Sequence, residues 1–381
     1  MDFKVNRETF TTSEVVLDTS FEQAVELDHI LPDYYPDIFK ILKCRIMPRI
    51  VSHSIIGDDV SQSGTKKLTF ELVACVKVWY QSDNLKGISC IEQKMNFTKT
   101  VELAGNCENP LINICPKTDY VNCRVINQRR LDIRGAVSTK VKIVGEKKQS
   151  IIVDAFGGNV QLKKSFVTFP SKRLIAAKRI TVIEELELGV AKPPILSVIK
   201  SDCIISSSEQ KVIANKLVTK GEAHINMLYT CNKDEGEGIE AMQFSIPFSQ
   251  IIDIEGIDEH FEAFVDISSV SCDIMTKGVG ETGEFECELV LLVNCTALKY
   301  ETAELVTDVY STNYECTFNN CETKLENMPI SINETKAIKS SLTCQDNQIK
   351  SVYDVSCEVS NINGRFDHDN DKFIISGNIS F

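Results

Sequence analysis

The sequence predicts a mainly β protein built from tandem modules, with sandwich-like or partly open barrel-like packing and short helical turns. Three observations carry this. β-branched and apolar residues alternate with polar ones at a period of two, as in Leu68, Phe70 and Leu72 against Thr69 and Glu71. Patterns at the helical i, i+3, i+4 spacing are short. A signature returns after 157 residues: PDIFKILKC at Pro36–Cys44 aligns with PPILSVIKS at Pro193–Ser201. A third echo, Ile349–Val352, resembles Ile195–Val198.

Taken in order, the first module is expected over residues 10–150. Ser13–Asp28 reads as one or two short strands. LPDYYP is extended, because a residue before proline is pushed out of the helical region, and PDIFKIL suits one helical turn with Pro36 at its start. KLTFELVACVKVWY at Lys67–Tyr80 is the clearest strand, and ISCIEQKMNFTKTVEL follows as another. Alternation resumes from about Tyr120 to Val144. A connecting hairpin is expected over 151–179, turning at Gly157-Gly158-Asn159, whose residues tolerate positive φ.

The second module, 180–300, repeats the order of events. Lys216–Cys231 aligns with Lys67–Tyr80, placing Leu228-Tyr229 on Trp79-Tyr80. Pro247-Phe248-Ser249 aligns with Asn96-Phe97-Thr98, and Glu284–Val293 with Gly135–Val144. Residues 301–381 read as a linker and an incomplete third module, in which KFIISGNISF at Lys372–Phe381 aligns with KLVTKGEAHI at Lys216–Ile225. The sequence ends there in mid-strand, so this part is expected to be the least stable, with an open edge.

The chain has 381 residues, 43% apolar and 25% charged, which is the composition of a folded protein. A net charge of −13 argues against nucleic acid as a partner and against an anionic membrane surface. No apolar run is long enough to span a bilayer, and no signal peptide is visible, so a cytoplasmic location is expected. The 15 cysteines sit mostly inside apolar alternations and include no CxxC pair. They read as free, structural thiols in a reducing compartment.

Candidate chemistry is sparse. Gly278-Val-Gly280-Glu-Thr-Gly283 has the form GxGxxG, but a strand-like run follows it where a phosphate site needs a helix, so a hairpin loop is expected. Asp367–Asp371 opens like a calcium loop yet has Lys372 and Asn378 where Gly and Glu are required, so a polar turn is expected. The five histidines lack zinc-finger spacing, and Cys316 and Cys321 could join them only through tertiary contact. No cofactor, metal or catalytic residues are assigned. Trp79 and Tyr80 are expected to pack in a core. The one basic cluster is Arg124, Arg129, Arg130 and Arg134, read either as a docking patch for an acidic partner or as internal salt bridging.

LPDYYPDIFKILKC at Leu31–Cys44 and TDYVNCRVINQRRLDIRGAVS at Thr118–Ser138 resemble the SPOCS domain family, found in SipL-like spore-coat morphogenesis proteins. The segments KLVTKGEAHINMLY and IPFSQIIDIEG fit the repeat of the same family. The resemblance implies a non-enzymatic scaffold of endospore coat assembly. It would act in the mother-cell cytoplasm at the forespore surface and bind spore-coat proteins such as the SpoIVA-type coat ATPase. In SipL that contact is attributed largely to a LysM domain, and no LysM-like segment is seen in this sequence. A peptidoglycan- or glycan-associated binding protein is the alternative. It would call for exposed aromatic grooves and an export route.

Overall fold

The computed structural model describes residues 4–57, 66–82, 87–103, 108–234, 236–317, 319, 337–341, 352, 355 and 357–380. Among them there is no helix. The Ile349–Val352 echo lies mostly outside the described residues, and Cys321 lies wholly outside them. The helical turn expected at PDIFKIL is a strand instead: after a turn at 33–35 the backbone is extended from Ile38. Ile38 and Ile41 are β-branched, and both pair with the next strand.

The first six strands are β1 (Lys4–Ile30), β2 (Ile38–Gly57), β3 (Lys66–Ser82), β4 (Ile88–Leu103), β5 (Glu108–Asn127) and β6 (Arg130–Phe156). They form two antiparallel three-stranded sheets, in the orders β1-β6-β5 and β2-β3-β4. The alternation in β3 is legible in its burial. Leu68, Phe70, Leu72, Ala74, Val76, Val78 and Tyr80 are all buried, on the face turned toward the other sheet. They meet Val25 of β1 and Leu131, Ile133, Val137, Val141 and Ile143 of β6 in two adjoining clusters. Each such aliphatic side chain contributes roughly 1.5–3 kcal/mol on burial.

The next six strands repeat this plan: β7 (Val160–Glu187), β8 (Ile195–Ile213), β9 (Lys216–Lys233), β10 (Gly236–Asp253), β11 (Phe261–Thr276) and β12 (Glu284–Ser311). Their sheets run β11-β12-β7 and β10-β9-β8. Among the described residues no sheet closes into a barrel. The repeat extends to irregularities. The β2–β3 ladder slips between Ile38 and Lys40, Ile41 and Lys43, and Ile50 and Ser52. The β8–β9 ladder slips at the same three places, 157 residues on, between Ile195 and Ser197, Val198 and Lys200, and Ser207 and Glu209.

Ladder register tests the sequence alignment directly. Ile41 pairs with Tyr80 and Val198 with Tyr229, so those tyrosines are equivalent. Leu72 pairs with Phe97 and Gly221 with Phe248, which upholds the third-strand to fourth-strand alignment. The last alignment is corrected. Val25 pairs with Gly135 and Val182 with Leu289, so Gly135 occupies the place of Leu289, and EFECELVLLV corresponds to RLDIRGAVST at Arg130–Thr139. The expected alignment was off by five residues, an odd slip that exchanges the two faces, whereas the corrected one matches the buried Leu131 and Ile133 with the buried Phe285 and Cys287.

Strands β6 and β7 meet at the expected Gly157-Gly158-Asn159 turn, where all three residues have positive φ. They do not pair with each other as a hairpin over 151–179. Each continues a long ribbon within its own unit, Lys4–Glu14 with Gly145–Phe156 and Val160–Pro170 with Tyr300–Ser311. The two units touch along these ribbons. Phe10 meets Phe169 edge-on at 5.2 Å. The buried Arg173 donates to the carbonyls of Asn109 (2.6 Å) and Val144 (3.0 Å). Beyond them, β13 (Glu358–Asp367) and β14 (Lys372–Ser380) form a two-stranded hairpin. Asp371-Lys372 stand there as Asn215-Lys216 stand before β9, with the first residue of each pair at positive φ. The Asp367–Asp371 stretch is a polar turn, and 278–283 is the loop of the β11–β12 hairpin.

Candidate functional site

The Leu31–Ile38 loop links the two sheets of the first unit, and both its ends are buried apolar residues, Leu31 at 2% and Ile38 at 3% exposure. Its backbone is tied to the β5–β6 turn: Leu31 N–H donates to Arg129 O and Ile38 N–H to Gln128 O, both at 2.8 Å. The Arg129 guanidinium lies under the loop. It donates to the carbonyls of Pro32 (2.8 Å), Leu31 and Tyr35 (each 3.3 Å) and pairs with the Asp37 carboxylate. A planar fork suits this task because it satisfies several acceptors at fixed angles. From below, the buried Tyr80 hydroxyl donates to Pro36 O at 2.8 Å. Burial pushes the Tyr80 phenol up to about 12, so it stays a donor at any ordinary pH.

The second unit builds the same loop without the arginine. Leu188 N–H donates to Gly283 O (2.8 Å), Gly280 N–H to Ile195 O (2.9 Å), and the Tyr229 hydroxyl to Pro193 O (3.2 Å). Lys192 Nζ reaches Glu240 and Ala241 O. The repeated proline and tyrosine are therefore one device, a buried hydroxyl holding the carbonyl of the loop's last turn. Tyr229 was legible as its partner through the Leu228-Tyr229 alignment, whereas the role of Arg129 was not.

The clamp fixes what the loop shows to solvent. Tyr34 is 81% exposed and lies against Tyr35 at 4.7 Å. The first two register slips of β2 leave Phe39 and Leu42 unpaired on bulges, 57% and 46% exposed. A slip in β5 does the same for Ile126, beside Val125. Bulges re-aim side chains, and here they turn apolar ones outward. The Ile38–Gln128 bond brings Phe39 to the Val125–Ile126 end of β5.

The equivalent surface of the second unit is covered. Ile199, in the place of Leu42, is 5% exposed, and its carbonyl accepts the Trp79 indole N–H at 3.3 Å. Trp79 is buried as expected, but against the other unit, from the outer face of the β2-β3-β4 sheet. Arg49 of β2 donates to Val270 O of β11 in the same interface. One bulge face thus seats a neighbouring β-sheet while its counterpart, Phe39 and Leu42, faces solvent.

Three of the four clustered arginines are turned onto carboxylates of their own unit. Arg129 pairs with Asp33 and Asp37, Arg130 with Asp28, and Arg134 with Asp132. Arg130 holds the Asp28 carboxyl below its usual range, chiefly through their hydrogen bond. Arg124 is exposed on β5. Among the described residues one serine–histidine array is present: His224 Nε2 lies 3.0 Å from Ser206 Oγ and its Nδ1 lies 2.8 Å from Ser245 Oγ. All three side chains lie exposed on strands β8, β9 and β10, whose ladder occupies the backbone N–H groups that an oxyanion would need. Among the described residues no cluster of His, Cys, Asp and Glu could hold a metal ion. No helix among them is long and apolar enough to cross a membrane.

A family model described as SipL, SPOCS domain, matches residues 37–126 and 194–277. The two matches begin one residue before β2 and one residue before β8; the first ends within β5 and the second one residue past β11, the strands that adjoin them. No curated protein and no solved structure matches the chain.

Proposed function

The chain belongs to the SPOCS-domain family, which suggests a role in sporulation, and on that premise we propose that it is a non-enzymatic scaffold of endospore coat assembly. It binds other coat morphogenetic proteins, the SpoIVA-type coat ATPase among them, in the mother-cell cytoplasm at the forespore surface. The observation that carries the reading is the unequal fate of the repeated bulge face. In the second unit it is occupied by the first unit through Ile199 and Trp79, and in the first unit Phe39 and Leu42 are open. A face that receives a β-sheet inside the chain is fitted to receive one from outside. Apolar side chains at its centre and charged pairs at its edge match the anatomy of protein interfaces. The Arg129 clamp favours this by holding the loop in one conformation before a partner arrives, which lowers the ordering cost of binding.

The arginine cluster contributes mainly through that clamp, leaving Arg124 as the residue best placed to meet an acidic partner. The experiment is localisation. A fluorescent fusion of the chain in sporulating cells is expected to collect at the forespore surface, and cells lacking the protein are expected to assemble a detached coat. Diffuse fluorescence throughout sporulation together with a normal coat overturns the proposal.

A further inference from the structure

In each unit one side of the sandwich is a seam. Strands β2 and β5 adjoin there without ladder hydrogen bonds, and so do β8 and β11. Each seam is bridged by a side chain instead: Thr118 Oγ1 donates to Ile46 O at 2.8 Å, and Ser201 Oγ donates to Cys272 O at 2.9 Å. Among the described residues a backbone hydrogen bond closes each seam only at its end, Ile38 N–H to Gln128 O and Gly280 N–H to Ile195 O, so along the rest of its length the two sheets can part.

A pair of thiols faces across each seam. The thiols of Cys44 (β2) and Cys123 (β5) lie close enough for each to shift the other's titration, and both pack on the first unit's core. The thiols of Cys203 (β8) and Cys272 (β11) do the same in the second unit. The two pairs do not occupy equivalent positions. Cys203 takes the place of Ile46, by the 157-residue offset of β2 and β8. Cys272 takes the place of Val121, since Cys272 pairs with Leu289 and Val121 with Gly135. Cys44–Cys123 and Ile46–Val121 are therefore successive rungs across one antiparallel seam. The first unit carries cysteines on one rung and the second unit on the next. Had the pairs been a relic of sequence duplication, they would share a rung.

We propose that these two pairs are a modification site of the chain: intramolecular disulfides Cys44–Cys123 and Cys203–Cys272 form on oxidation and staple the seam of each unit. The proposal is independent of which partner the scaffold binds. A small-molecule disulfide such as oxidised glutathione is the oxidant. A Cys272 thiolate attacks one of its sulfurs, giving a mixed disulfide and releasing a thiolate, which takes the proton of Cys203. The Cys203 thiolate then displaces the second small thiol. Two protein thiols and one small disulfide become one protein disulfide and two small thiols. Cys272 is the attacking group because hydrogen bonds from Cys203 and Cys287, with Arg49 nearby, hold its thiol well below the usual range. Cys123 has the same role in the first unit, lowered by its bond from Cys44. All four sulfurs are half-buried, whereas Cys75, Cys231, Cys287 and Cys295 are buried.

The test is to incubate the full folded chain with oxidised glutathione, block residual thiols, digest without reduction and identify linked peptides by mass spectrometry. Linked Cys44–Cys123 and Cys203–Cys272 peptides are expected, with an upward shift in the melting temperature that reductant reverses. Cys44→Ser abolishes the first link and leaves the second, and Cys203→Ser does the converse. Serine is close to isosteric, and a circular dichroism spectrum matching wild type shows that the variants fold. Absence of both links overturns the proposal, as does a Cys272–Cys287 link or links between chains. A link in one unit alone overturns the claim that the seam makes the site.

Discussion

Replacing Arg129 by methionine keeps the aliphatic stem and removes the fork. Two contacts are short, to Pro32 O at 2.8 Å and to the Asp37 carboxylate. Two are longer, to Leu31 O and Tyr35 O at 3.3 Å. A hydrogen bond from a charged donor contributes about 1.5–3 kcal/mol net. The side chain is 34% exposed, so water replaces part of what is lost. The short contacts together then leave a cost of about 2–3 kcal/mol. Arg129→Lys restores the charge but reaches fewer acceptors, and is expected to recover less than half of the loss. The neighbouring Arg130, paired with Asp28 at the surface, serves as the control, and Arg130→Met is expected to leave stability unchanged within error. Urea unfolding gives the stability change, and amide exchange at 31–38 reports the loop directly, with protection at Leu31 and Ile38 falling only in the Arg129 variants. If Arg129→Met and Arg130→Met destabilise equally, or exchange in the loop is unchanged, the clamp does not exist and the cluster is only surface charge.

The two tyrosines offer a matched pair. Tyr80→Phe and Tyr229→Phe should each cost about 1–2 kcal/mol by leaving a proline carbonyl without its donor, measured as a shift in urea midpoint at constant slope. Gly135→Ala should cost about 1–3 kcal/mol, because the added Cβ would sit 2.6 Å from the backbone Tyr120 O, which cannot yield, and closer still to the Ile46 side-chain tip. Desolvation lowers the pKa of the half-buried His29 and of the more exposed His53, so at each the unfolded chain takes up a proton before the folded one. Their contribution is therefore fully present above the unfolded value of about 6.5 and is lost as pH falls below it. Unfolding midpoints should drop between pH 7 and pH 5, less steeply in His29→Gln, and a flat profile contradicts this.

Much of the fold was legible because its signal is local. Period-two alternation located the strands, and the Tyr80–Tyr229 and Phe97–Phe248 alignments survive the ladder register. What was not legible depends on contacts far apart in sequence. The five-residue slip at EFECELVLLV is odd and exchanges the two faces of the strand, an error that only the ladder register exposes. The expected helical turn at PDIFKIL gave way to strand pairing with β3, a tertiary override of a local preference. Arg129 read as one charge in a basic run. Its role depends on carbonyls 94 to 98 residues away in sequence. Trp79 was correctly expected to be buried, but the burial comes from Ile199 of the other unit. The bulges that expose Phe39 and Leu42 had no signature, since the same apolar letters in an unslipped strand would alternate between the core and the outer face.

The most direct measurement is calorimetric titration of the folded chain with the purified SpoIVA-type coat ATPase, beside the double variant Phe39→Ser, Leu42→Ser. Both side chains are exposed in the free chain, so the variant should keep wild-type stability. Burying each in an interface is worth about 1.5–3 kcal/mol, so the double variant should bind at least tenfold more weakly. Wild-type binding with that loss is the predicted result. No binding by the wild-type chain, or equal binding by the variant, would contradict the account.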